Sequence, residues 1–169
     1  MSRLEIKIYP DPILRRKSKE VEEITQEIRK LAKDMIETMQ NSDPEGIGLA
    51  APQVGKSLRI IVVQTEGGPA VFINPKIIKK SKEKEVAEEG CLSLPGVWLK
   101  IKRAKWVEME AVALGPSPLA EGGKIDINGE ISKIKAEGLL ARVLQHEIDH
   151  LNGVLITDRV GFFQKFFKK

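Results

Sequence analysis

The sequence predicts an α+β fold: a compact single domain in which antiparallel or mixed sheets pack around a central helix, with an N-terminal and a C-terminal helix besides. Three observations lead there. Apolar residues recur at helical spacing before residue 40 and again at 140–151, and short β-rich runs lie between them without regular helix–strand alternation. A length of 169 residues suits one domain spanning 1–169, large enough to bury a substantial core.

Along the chain, Thr25 is a candidate cap for a helix carrying Ile24, Ile28, Leu31, Met35 and Met39 on one face. Residues 46–55, GIGLAAPQVG, read as a small-residue turn leading into a strand at 59–64. Further strands are predicted at 71–73, 97–103 and 107–113. The Pro/Gly-rich stretch 115–123 reads as a surface connection to a hairpin turning at Asn128-Gly129, flanked by the alternating Ile125, Ile127 and Ile131. Leu140, Val143, Leu144, Ile148 and Leu151 supply the stripe of the second long helix, which Gly153 is placed to end. Phe162, Phe163, Phe166 and Phe167, with Val160, suggest a short terminal helix.

Charge excludes little by itself. Twenty-eight basic and 24 acidic side chains leave +4, and the lysine-rich run 76–84 and the terminal Lys165, Lys168 and Lys169 read as solvated faces. With so slight an excess no direct DNA binding is expected, and no membrane span is expected because no long apolar run occurs. Cys91 is the only cysteine, and no charged, apolar secretory leader opens the sequence, so a reducing cytoplasm is the expected compartment.

The chemistry points to one pentad. The only two histidines, His146 and His150, stand four apart with Glu147 directly after the first. On a helix, positions i and i+4 share a face about 5–6 Å apart at Cβ, close enough for two imidazoles to meet one ion. Glu147 points about 100° away, the place of a base that takes a proton from water activated by that ion. A catalytic site of this kind takes three protein ligands. The protease extension H-E-x-x-H-x-x-G-x-x-H would put the third at position 156, which is Ile156, and beyond His150 only Asp158 offers a side-chain carboxylate. That directs attention upstream to Cys91, in Glu89-Gly90-Cys91-Leu92-Ser93-Leu94-Pro95, on a shaped loop or strand edge. Such a Cys/His₂ set suits zinc. Gln53, beside an apolar run, is a weaker signal for an oxyanion donor, since read alone a tight turn is the better explanation of its surroundings.

GIGLAAPQVG at 46–55, EGCLSLP at 89–95 and QHEIDH at 145–150, in this order and at these separations, resemble peptide deformylases. The likeness begins with Tyr9-Pro10-Asp11-Pro12-Ile13-Leu14-Arg15, runs through Glu137-Gly138-Leu139-Leu140-Ala141 and covers most of the chain. It implies removal of the formyl group from the N-terminal formylmethionine of nascent polypeptides. By that resemblance Cys91, His146 and His150 hold one divalent metal ion, ferrous iron in the cell with zinc, nickel or cobalt as substitutes. Glu147 is general base and acid, and Gln53 with the backbone N–H of Leu92 stabilises the oxyanion. The substrate methionine sits against Ile47, Leu92, Val143 and His146, and Gly48 and Gly90 offer backbone contacts to the peptide. The phenylalanine-rich C-terminal tail is a candidate for docking near the ribosomal exit. The 115–123 connection is longer than the resemblance leads one to expect, and specificity beyond methionine, near Trp98 and Lys100, stays open. Arg142, one turn before His146, either edges the pocket or carries a solvated charge. An HExxH metallopeptidase and a noncatalytic metal-binding module remain the competing readings.

Overall fold

Ile60, Ile61, Val62 and Val63 form an unbroken apolar run, and a strand built from them must bury both faces. It does so in the computed structural model, which describes residues 3–114 and 130–161. The elements in chain order are α1 (Gln26–Gln40), β1 (Gly48–Ala50), β2 (Ile60–Thr65), β3 (Gly68–Lys80), β4 (Lys84–Cys91), β5 (Leu94–Ala104), β6 (Trp106–Leu114), β7 (Ile131–Glu137) and α2 (Gly138–Leu151). Five strands make one sheet in the order β1-β2-β3-β6-β7, while β4 and β5 form a separate hairpin. Every strand pair is antiparallel.

The period of two along β2 decides what packs where. Ile61 and Val63 join Phe72, Met109, Ile134, Leu144, Ile148 and Leu151, so that face receives α2. Ile60 and Val62 join Met35, Met39, Leu49 and Ile73, so the opposite face receives α1. A third cluster, with Leu14, Leu94, Ile101, Leu155 and Ile156, fastens the β4–β5 hairpin to the turns at both ends of the chain. The long hydrophobic helix is thus central, between the main sheet and the hairpin.

Thr25 caps α1 as its residue type predicts, its Oγ1 accepting from the Ile28 N–H at 3.3 Å. Gly153 ends α2 in the left-handed region, at φ +72°, with its N–H donating to the His150 carbonyl. A Cβ there would lie 2.4 Å from the Arg15 carbonyl oxygen, so the glycine also admits the neighbouring chain. Gly153→Ala is expected to cost about 2–4 kcal/mol, from the dihedral and the collision together, measured by denaturant unfolding.

Strands at 59–64, 97–103 and 107–113 lie within a few residues of β2, β5 and β6. The one at 71–73 grows to the thirteen residues of β3, because Asn74-Pro75 does not end it. The β3–β6 register shifts between Ile73 and Lys76, and Asn74 takes φ +51°. A bulge of this kind accommodates a proline that cannot donate to the ladder. The Asn74 side chain accepts from the Val21 N–H and donates to the Val21 carbonyl, tying the bulge to the N-terminal segment. Strand β4 carries Lys84, Glu85, Glu88 and Glu89 in eight residues and gives no apolar pattern. The lysines of 76–84 therefore fall in β3, β4 and the turn between them, all of them exposed. The connection 115–123, the turn at Asn128-Gly129 with Ile125 and Ile127, and the phenylalanine-rich tail lie outside the described residues, whereas Ile131 opens β7. Among the described residues no helix is long and apolar enough to cross a membrane.

Candidate active site

Helix α2 carries His146 and His150 on its buried face, and the last residue of β4, Cys91, meets them. The tight turn Leu92-Ser93 pairs Cys91 with Leu94 and holds the thiol at the end of the hairpin. Cys91 Sγ lies 3.3 Å from His150 Nε2, which lies 3.3 Å from His146 Nε2, and the three ligand atoms all fall within 4.8 Å of one another. Nitrogen and sulfur bonded tetrahedrally to one ion at about 2.05 and 2.3 Å would sit roughly 3.3–3.6 Å apart. The donor set and its spacing therefore fit a small divalent cation.

The orientation of His146 is set from behind. Its Nδ1 lies 2.9 Å from Glu89 Oε2, so Nδ1 carries the proton and Nε2 presents its lone pair to the cluster. Glu89 is itself held by Arg103 through Nε at 2.9 Å and Nη2 at 3.0 Å, and by Arg142 Nη1 at 2.8 Å. Burial alone would raise the Glu89 carboxyl, but the hydrogen bonds from His146 and Arg103 outweigh it and hold it far below the ordinary carboxylate range. Arg142 is buried, bonded to Glu89 and to the carbonyls of Ile101 and Glu85. It edges the pocket from within the protein and is not a solvated charge. Sequence reasoning assigned Glu89 no role; its signal was its place inside the EGCLSLP motif, but only the fold reveals the arginines that allow its burial.

Glu147 is 3% exposed. Burial pushes its carboxyl up to about 7, and among the described residues its Oε2 has no hydrogen-bond partner. It rests against Gly48, where an added Cβ would lie 2.4 Å from Glu147 Oε1 and 2.8 Å from Val143. Gly48→Ala should therefore displace the carboxylate and lower kcat/KM by roughly a hundredfold, the usual cost of about an ångström of misplacement. A steady-state assay on the metal-loaded variant checks this.

Gln53 is buried in the turn after β1, and its Oε1 accepts from the Ala50 N–H at 2.8 Å. That bond fixes the amide, so Nε2 points to Ser93 Oγ at 3.2 Å and Cys91 Sγ at 3.5 Å. A cavity of about 410 Å³ opens beside these groups, and Ile47, Gly48, Gln53, Gly90, Leu92, Val143, His146 and Glu147 all line it. Every residue expected at the site is thus brought to one place, with His150 beneath. Trp98 lies at this cavity too, against Gly90, where a Cβ would meet its ring at 3.1 Å; Lys100 does not line it. A larger groove of about 1470 Å³ along β3 touches none of Cys91, His146, Glu147 and His150.

Comparison with known proteins agrees with this geometry. The family model for polypeptide deformylase matches residues 3–165. A peptide deformylase of Dictyoglomus thermophilum is 51% identical over 155 residues, 92% of this chain and 91% of that protein. The crystal structure of peptide deformylase from Thermotoga maritima superposes with a TM-score of 0.83 at 40% identity, covering 95% of this chain and 99% of that one. A peptide deformylase of Synechococcus elongatus, solved in complex with actinonin, gives 0.81 at 42% identity over 94% and 79% of the two chains. Family match, relatives and site geometry agree, and the chain belongs to the polypeptide deformylase family.

Proposed function

We propose that the deformylation this family performs is carried out here, in one catalytic domain, by Glu147, Gln53 and Leu92 around a divalent cation held by Cys91, His146 and His150. The observation that carries the reading is a thiol and two imidazoles converging beside a buried carboxylate whose Oε2 has no hydrogen-bond partner among the described residues. The enzyme is a hydrolase acting on nascent formylated peptides, as its family membership establishes.

A cation held by Cys91, His146 and His150 would supply Lewis acidity for activating water at neutral pH and polarising the formyl carbonyl. Glu147 accepts the proton of the attacking water and returns it to the departing amine. Gln53 Nε2 and the Leu92 N–H donate to the oxygen on which negative charge develops; one such donor is typically worth about 3–4 kcal/mol. Gln53 does this without reorganising, because the Ala50 N–H already fixes its amide. Ile47, Leu92 and Val143 receive the methionine side chain, with Gly48 and Gly90 leaving the peptide backbone room to approach. Ferrous iron is the expected ion in the cell, although the Cys/His₂ set also suits zinc, and nickel or cobalt can substitute. The expected compartment is the cytoplasm.

The test combines anaerobic metal analysis with formate release from a formyl-Met peptide, set against cleavage of the unformylated peptide. Formate release with one metal per chain supports the reading, and cleavage of an internal peptide bond would favour a metallopeptidase. Docking of the C-terminal tail near the ribosomal exit is a separate proposal. Truncation after Arg159 with unchanged ribosome association would eliminate it.

A further inference from the structure

Glu89 is the inner end of a longer run of ion pairs. Arg103, which holds Glu89 with Nε and Nη2, turns Nη1 to Asp149 Oδ2 at 2.5 Å. Asp149 in turn accepts from Arg159, from Nε at 2.9 Å and from Nη2 at its other oxygen. Side-chain exposure falls from 44% at Arg159 to 11% at Asp149 and 4% at Arg103. The run therefore leads from the surface inward to the Nδ1 of His146. Arg103 grips Glu89, and Arg159 grips Asp149, through two N–H groups each, which fixes direction as well as distance.

Arg159 stands just after the short turn Ile156–Asp158, outside the substrate cavity. Anchoring that turn does not require it. Arg15 pairs with Asp158, and the Leu155 N–H donates to the same carboxylate. What Arg159 does hold is the Asp149 carboxylate, which it shares with Arg103. Without Arg159, Asp149 would draw on Arg103 alone and pull its guanidinium from Glu89, and Glu89 would hold the His146 ring less firmly.

We propose that Arg159 is a positioning residue for the metal centre, acting through Asp149, Arg103 and Glu89 on the orientation of His146. The inference rests on Cys91, His146 and His150 being the metal ligands, and not on which substrate the enzyme takes. Loss of a partner bonded directly to a ligand typically costs roughly 10–100-fold in metal affinity. Arg159 is further removed, and its effect should be roughly three- to tenfold, within the range that coupling along a contiguous network produces.

The experiment uses the full chain loaded with Co2+ and measures first-order loss of Co2+ to excess chelator together with the visible absorption of the bound ion. Arg159→Met is expected to lose Co2+ about three- to tenfold faster and to shift the absorption bands, while Arg159→Lys, which keeps a charge on Asp149, recovers part of both. Arg15→Met, which disturbs the same turn without touching the run of ion pairs, should leave both readings unchanged. Equal rates in Arg159→Met and the parent protein, or equal acceleration in Arg15→Met, would overturn the proposal. If Arg159→Met does not fold, Arg159→Gln, which keeps a donor but no charge, decides by the same comparison. Failure of the parent protein to bind Co2+ would instead remove the metal reading itself, a result distinguishable from either.

Discussion

Glu147→Gln is expected to keep its metal and lose formate release by roughly 10²–10⁴-fold, the range typical of a general acid–base group. The amide matches the carboxylate in size and sits at 3% exposure, so packing against Gly48 should survive. What it cannot do is accept a proton. With Glu147 as the base, activity of the parent enzyme is expected to fall as pH drops through the Glu147 pKa, because the base must be ionised. Burial holds that carboxyl at about 7, and a neighbouring cation favours the charged form, so the acidic limb of kcat/KM should lie at or below that pH. The variant should lose this limb. Turnover within about threefold of the parent, with metal bound, would remove Glu147 from the role.

Cys91→Ala is expected to lose both metal and activity. A structural zinc site gains about 10–16 kcal/mol from four ligands, so one thiolate is worth roughly 2.5–4 kcal/mol, or about two to three orders of magnitude in affinity. The sulfur is also the one proposed ligand outside α2, which would make it the cross-link between hairpin and helix. Equilibrium titration with Zn2+ checks the affinity, and thermal unfolding with and without metal checks the cross-link. A variant that still binds the ion as tightly as the parent would place the third ligand elsewhere.

How much of this was legible beforehand follows from the range of each interaction. Helix spacing put His146 and His150 on one face, and Thr25 and Gly153 marked helix ends, because these are relations among residues only a few positions apart. The strand at 59–64 was legible in the same way, but that α1 and α2 cover its two faces emerged only with the fold. Strand β4 was not legible, since its charged residues owe their conformation to pairing with β5. Nor was the length of β3, whose Asn74-Pro75 bulge depends on Val21, 53 residues away.

At the site, local pattern determined the residue types proposed for the chemistry: two imidazoles and a carboxylate on one helix turn, one thiol, one amide beside glycines. It also made Gly48 and Gly90 conspicuous, without saying that Glu147 and Trp98 occupy the space they leave. The tertiary structure alone decided that Cys91 meets the histidines, that Gln53 is turned by Ala50, and that Glu89 is buried between His146 and two arginines. The physical reason is burial: a carboxylate and two guanidiniums can leave water only when each finds its opposite charge, and those partners come from β4, β5 and α2, elements that no short window of sequence contains together.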